Sequence, residues 1–174
     1  MQPLHASSLL ALALFFSLGC RERLPARSQW AVAAASVGVV HFGMPYQEAV
    51  AALKDTASPT VSDSSCDYWY PRSGPPGLGF MVEDGKIVRA DVDSPGVATL
   101  GGLEVGSAVS AVRARLGPTL IDEPHKYEWA SGWRYLSVST PDSVYGLVFE
   151  VDSHVVRSYR AGRWPPVGYV EHCS

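Results

Sequence analysis

One arrangement of residues occurs twice along this chain, in the same order. The first copy opens with His41-Phe42-Gly43-Met44 and runs into PYQEAVAALKD; the second opens with Glu104-Val105-Gly106-Ser107 and runs into AVSAVRARLG. In both, a glycine precedes apolar residues at helical spacing: Ala49, Val50 and Leu53, then Val109, Val112 and Leu116. Pro45 suits a first helical position, where the missing N–H costs nothing. Ser107 is a good N-cap, and Gly117-Pro118 closes the second helix. An aromatic strand follows: Cys66-Asp67-Tyr68-Trp69-Tyr70 in the first copy, His125-Lys126-Tyr127-Glu128-Trp129 and then residues 133–138 in the second. A hairpin ends each copy. The first is GLGFMVE, an Asp84-Gly85 turn and KIVRADV; the second is GLVFEVD, Ser153 and HVVRSYR. Asp-Gly between strand-like runs is a strong two-residue turn signal. Ile87-Val88-Arg89 and Val155-Val156-Arg157 hold matching places, as do Phe80 and Phe149.

One short helix with three strands buries too little apolar surface to stand alone. The pattern therefore predicts an α+β domain of two tandem helix-plus-antiparallel-strand units, residues 37–100 and 101–174, with residues 56–65 as loop. This order of elements, with the openings Phe42-Gly43-Met44 and Val105-Gly106-Ser107, resembles the tandem fold of beta-lactamase inhibitory protein and the related small outer-membrane lipoproteins of the barrel-assembly-machinery type. The resemblance covers residues 37–174. It implies a non-enzymatic protein that binds other envelope proteins, and it carries no binding residue over. Members of those families commonly have two helices per unit, where this chain has a loop-like stretch.

Residues 9–19, LLALALFFSLG, are too few to span a bilayer, which takes about 20 residues, and have the length of a signal-peptide core. The segment before them carries His5 but no Lys or Arg. Two cleavage readings compete. Ser17-Leu18-Gly19 is a small-x-small site, and Leu18-Gly19-Cys20 resembles a lipobox with Ser17 where Leu is usual. Residues 1–19 are thus read as a signal peptide and Cys20 as a lipidation site, which would be the only attachment to a membrane. Residues 20–36 read as a tether, with a short strand near 31–40 as an alternative. The expected location is periplasmic or outer-membrane anchored.

An exported compartment is oxidising, so Cys66 and Cys173 are expected to pair as a disulfide. The rival is a metal site built from Cys66, Cys173, His172 and His125. No C-x₂-C or H-x₃₋₅-H spacing supports it, and neither a metal nor a cofactor is expected. Catalytic signatures are also missing: the sequence has no G-x-S-x-G, H-E-x-x-H or G-x-x-x-x-G-K-[ST]. His41, His125 and His154 are scattered, and Glu83-Asp84 and Asp122-Glu123 fall at predicted turns. With 14 Lys+Arg against 17 Asp+Glu and no basic stripe, nucleic acid is not an expected partner.

What stands out is the density of rings. Trp69, Tyr70, Trp129, Trp133, Tyr135 and Tyr159, with Arg163 and Trp164 of the tail, form a candidate binding surface. Strand alternation puts Tyr68 and Tyr70 on one face and Trp69 on the other. The sequence thus predicts a non-enzymatic module that docks on another envelope or secreted protein through an open aromatic sheet face. A secreted inhibitor of a hydrolase is one alternative. An envelope hydrolase with an unrecognised site is another, to be told apart by a deep pocket with two convergent ionisable groups.

Overall fold

A computed structural model describes residues 28–55 and 65–173. The readings of residues 1–19 as a signal peptide and of Cys20 as a lipidation site lie outside the described residues, as does most of the 56–65 stretch. Among the described residues no helix is long and apolar enough to cross a membrane.

The architecture corrects the expected fold class. The described residues form ten strands in two antiparallel sheets with two short α-helices, a mainly β protein rather than two helix-plus-strand units. The small sheet is a meander of β1 (Val32–Ala33), β2 (Ser36–Val37) and β3 (Val40–His41). The large sheet contains β4 (Cys66–Trp69), β5 (Leu78–Glu83), β6 (Lys86–Val92), β7 (Ile121–Pro124), β8 (Arg134–Ser139), β9 (Tyr145–Val151) and β10 (Val156–Arg163). Its order is β4-β5-β6-β10-β9-β8-β7, so β6 and β10 pair at the centre, Tyr159 opposite Val92 and Gly162 opposite Arg89.

The helices α1 (Tyr46–Ala52) and α2 (Val109–Leu116) are too short to form a layer. Each lies beside a hairpin turn because the backbone before it is hydrogen-bonded there. Gly43 N–H donates to Ile87 O (2.6 Å), Tyr46 N–H to Gly85 O (2.9 Å) and Ile87 N–H to Met44 O (2.9 Å). In the same way, Gly106 N–H donates to Val156 O (2.9 Å), Val109 N–H to His154 O (3.0 Å) and Val156 N–H to Ser107 O (2.9 Å). The Gly-led openings are thus attachments to the large sheet, each followed by about two helical turns.

The main core lies on one face of the large sheet. Trp69, Phe80, Val82, Leu136, Phe149 and Tyr159 point into it and meet Val32, Val37, Val40 and Phe42 of the small sheet, with Tyr46, Ala49 and Val112 from the helices. Burial of each such large apolar side chain contributes roughly 1.5–3 kcal/mol. The stretch read as a tether therefore ends earlier than residue 36. Trp30 and Val32 are buried, and Val32 exchanges hydrogen bonds with Ala98 O (3.0 Å) and Leu100 N–H (2.8 Å).

Candidate functional site

Strand alternation puts a different set of residues on the outer face of the large sheet. Tyr68, Met81, Arg89 and Gly162 line up across β4, β5, β6 and β10; Ser137, Val148, Arg160 and Asp91 line up across β8, β9, β10 and β6. Residues 164–173 run back over this face as a strap. They leave β10, make a 3-10 turn at Pro166–Gly168 and end at the Cys66–Cys173 disulfide, Cα–Cα 5.5 Å, on the edge strand β4. The bridge is the expected one. It removes both thiolates that the rival metal reading required, and no metal-ligand cluster occurs among the described residues.

Two buried arginines pin the strap to the sheet. Arg89, only 1% exposed, donates from Nη1 to Pro166 O (2.9 Å) and Tyr169 O (2.9 Å), from Nε to Asp91 Oδ2 (2.9 Å) and from Nη2 to the Tyr68 hydroxyl (2.7 Å). Tyr68 in turn donates to Asp91 Oδ2 (2.9 Å). Burial first, then the Asp91 carboxylate, pushes the Tyr68 hydroxyl well above its ordinary pKa, with Arg89 opposing. Arg160 donates from Nε to Val167 O (2.7 Å) and from Nη1 to Glu150. Each guanidinium therefore neutralises a carboxylate and also holds backbone carbonyls, as a buried cation must.

His125 completes the network. Its Nδ1 accepts the amides of Tyr127 (3.2 Å) and Glu128 (3.0 Å), so the ring proton sits on Nε2, 3.7 Å from Glu150 Oε2. The imidazole is stacked on Tyr135, with centroids 4.5 Å apart. Capture of two successive amides by a side chain also ends strand pairing. The predicted aromatic strand over 125–129 is instead a loop with a 3-10 turn at Trp129–Ser131, and β7 stops at Pro124. With Nδ1 committed to two amides, His125 holds the turn of this loop. The Tyr135 hydroxyl is buried with no hydrogen-bond partner in good geometry. Burial and then Glu150 raise its pKa, while Arg160 and the Lys126 amide oppose.

Between this loop and the strap lies a cleft of about 550 Å³, lined by Trp129, Tyr135, Ser137, Val148, Trp164 and Val170 among others. A smaller cavity of about 240 Å³ includes Tyr70, Asp91, Ser158 and His172 in its lining; Arg160 and Val170 border both spaces. Trp164 is a fixed wall of the cleft. Its Nε1 donates to Ser139 Oγ (3.0 Å), and its ring lies against Gly146 and Gly168, where an added Cβ would sit 2.7 and 2.6 Å from it. Trp129 faces solvent, 67% exposed.

The predicted surface residues divide. Trp129, Tyr135 and Trp164 come together in the cleft, and Trp133 stands behind it, edge-on to His125 at 5.8 Å. Trp69 and Tyr159 belong to the core, where Tyr159 donates to Val97 O (2.9 Å); reading them as surface is corrected by the direction in which their strands face. Tyr70 is exposed and lies across Gly79 on the same outer face, near the β4 edge, where it lines the smaller cavity and not the cleft; Arg163 sits over the Tyr145 ring (5.9 Å), away from the cleft. Sequence reasoning missed Arg89 and Arg160. A charged residue in the middle of an apolar strand, as in KIVRADV, was the available signal. Arg157, which matches Arg89 in the sequence pattern, is an exposed partner of Asp152. Comparison with protein-family models, curated proteins and solved structures finds no match for the chain.

Proposed function

We propose that this protein is an exported, non-enzymatic binding module that docks on another envelope or secreted protein through the outer face of its large sheet. The observation that carries this reading is Trp129, a largely exposed indole at the rim of a cleft whose opposite wall is held rigid. Exposed tryptophan and tyrosine beside a concave apolar site supply much of the energy of protein interfaces. The ionisable groups beneath the cleft are engaged with one another and with the strap, which supports binding over proton-transfer chemistry. Export is supported by the apolar leader and by a disulfide, a bond that persists in oxidising compartments.

Site-specific photocrosslinking tests the reading. A photoreactive residue at Tyr127, beside the cleft, is expected to trap one discrete protein partner in intact cells. The same residue at exposed Val39, in the turn between β2 and β3, is expected to trap none. Equal labelling from both positions, or no adduct from position 127, removes the proposal. A trapped hydrolase would identify the chain as its inhibitor.

A further inference from the structure

We infer that His125 is a pH-sensitive latch: its neutral imidazole folds the loop that presents Trp129, and protonation releases that loop and weakens docking. The effect on docking rests on the reading above; the latch does not. The loop is closed at its base by His125 N–H, which donates to Trp133 O (3.0 Å). Its first turn is held by a side chain. The amides of Tyr127 and Glu128 both donate to His125 Nδ1, at 3.2 and 3.0 Å. Glu128 O then accepts from the amides of Ser131 (3.1 Å) and Trp133 (3.3 Å), so the position of Glu128 sets where Trp129 begins its 3-10 turn. This arrangement requires a lone pair on Nδ1. A proton there would face two amide donors, and both amides would lose their acceptor. Turning the ring over places carbon at that point and restores nothing. The ring is 7% exposed, so a proton on it is accommodated by opening the loop to water. Imidazole is the side chain that ordinarily changes charge between about pH 8 and 5.

Charged and titratable groups reach the ring from each element around it. Glu150 of β9, with Oε2 3.7 Å from Nε2, favours a positive imidazole. Its carboxylate is already joined to Arg160 of β10 and accepts the Ser158 hydroxyl (3.2 Å). Arg160 opposes a second cation. Tyr135 of β8 and Tyr127 of the loop bring rings, with centroids 4.5 and 6.4 Å away. Glu123 of β7 and the loop residues Lys126 and Glu128 are exposed, so their charges act through water. The strap brings Trp164, Gly168 and Val170 to the cleft, none of them charged. None of these groups replaces Nδ1 as acceptor for the two amides. The outcome is therefore decided at Nδ1. The held loop favours the neutral ring, so it persists at higher pH and is lost as pH falls. Trp129, 67% exposed at the rim of the cleft, is the residue that this release displaces.

The test uses the full oxidised protein labelled with ¹⁵N, titrated from about pH 8 to 5, the imidazole interval. The ring nitrogens of His125, the amides of Tyr127 and Glu128 and the indole N–H of Trp129 are expected to move on one curve with one midpoint. From one pH unit above that midpoint to one unit below it, the latched fraction falls about tenfold. A photoreactive residue at Tyr169, exposed on the strap and outside the loop, is expected to lose its partner adduct by the same factor. His125→Asn supplies an Oδ1 that takes the same amides in an Asx turn and carries no titrating proton. In that variant the two amides, the indole and the adduct are expected to ignore pH over the interval. A His125 ring that stays neutral to pH 5 overturns the inference, as does a ring that gains its proton while the two amides and the indole stay in place. A response that survives in His125→Asn assigns it to another group, such as His172 beside Tyr68, and overturns it equally. An adduct undiminished after the loop has opened overturns the control of docking. If the four signals move together and position 169 traps nothing at any pH, the docking reading falls while the latch stands.

Discussion

Replacing both cysteines of the bridge, Cys66→Ser with Cys173→Ser, tests how the strap is secured. The bridge joins residues separated by 107 positions, a loop that takes in the whole large sheet. Closing a loop of that length removes entropy from the denatured chain worth about 4.8 kcal/mol at 25 °C by the chain-entropy relation. The folded state should change little when the bridge is gone. Arg89 still holds the carbonyls of Pro166 and Tyr169, and Arg160 still holds that of Val167. The effect therefore belongs mainly to the denatured state, and the expected loss is about 2–5 kcal/mol. Urea unfolding of the oxidised protein and the double variant measures it. The midpoint should fall, and the slope against urea should rise, because an uncrosslinked denatured chain exposes more surface. A loss under about 1 kcal/mol with unchanged slope would refute the reasoning, since removal of a native bridge ordinarily costs more. Two alkylatable thiols in the native protein without reductant would refute it sooner.

Three further outcomes follow from the geometry. Arg89→Met is expected to lose about 3–5 kcal/mol in thermal unfolding, because it leaves the Asp91 carboxylate and two strap carbonyls without their cation; a change within about 0.5 kcal/mol, typical of an ordinary surface site, would contradict it. Gly162→Ala is expected to cost about 1–3 kcal/mol by overpacking, since its Cβ would fall 2.6 Å from Val88 O and 2.9 Å from Arg89 Cα, backbone atoms that cannot step aside alone; an unchanged Tm shows that the central pairing is looser than described. Asp152 is held down to about 2 from its ordinary 3.8 by the amides of Val155 and His154 and then by Arg157. Folding thus favours its charged form: the contribution is complete above about pH 4 and is lost as pH falls toward 2. Asp152→Asn should flatten the acid limb of a stability–pH curve over that interval, and an identical limb would show that another group controls it.

Much of the strand content was readable because hairpins announce themselves locally. Asp84-Gly85 joins β5 to β6, and the apolar runs on either side become the strands. The Cys66–Cys173 pairing was anticipated on the expectation of export, which leaves these two cysteines as a pair. Helical content was overestimated, since spacing reports which residues of a segment face inward and not whether the segment is long enough to form a layer. Only Tyr46 and Ala49 of α1 and Val112 of α2 are fully buried. Alternation correctly separated Tyr68 and Tyr70 from Trp69, and the two tyrosines stack at 5.9 Å. Alternation cannot say which side becomes the core. That is decided by the small sheet, whose short strands lie in a run of alanines and valines with no turn signature strong enough to divide them. The cleft was hidden for a related reason. It exists only because a strap about a hundred positions from Cys66 returns across the sheet, and because the imidazole of His125 breaks a run that otherwise reads as strand.

The central pairing of β6 with β10 sets how the chain must assemble. The strands on either side of it, β4 through β6 and β7 through β10, follow one another along the chain and can zip by short closures. The pairing of Val92 with Tyr159 brings together residues about 70 positions apart, and such distant encounters dominate the folding time of β proteins. Closing this midline is the slow search. Weakening it should retard folding, whereas damage at the outer strands should mainly hasten unfolding. Until it closes, each half carries a bare, largely apolar strand margin, the kind that recruits other chains, so neither half is suited to exist without the other.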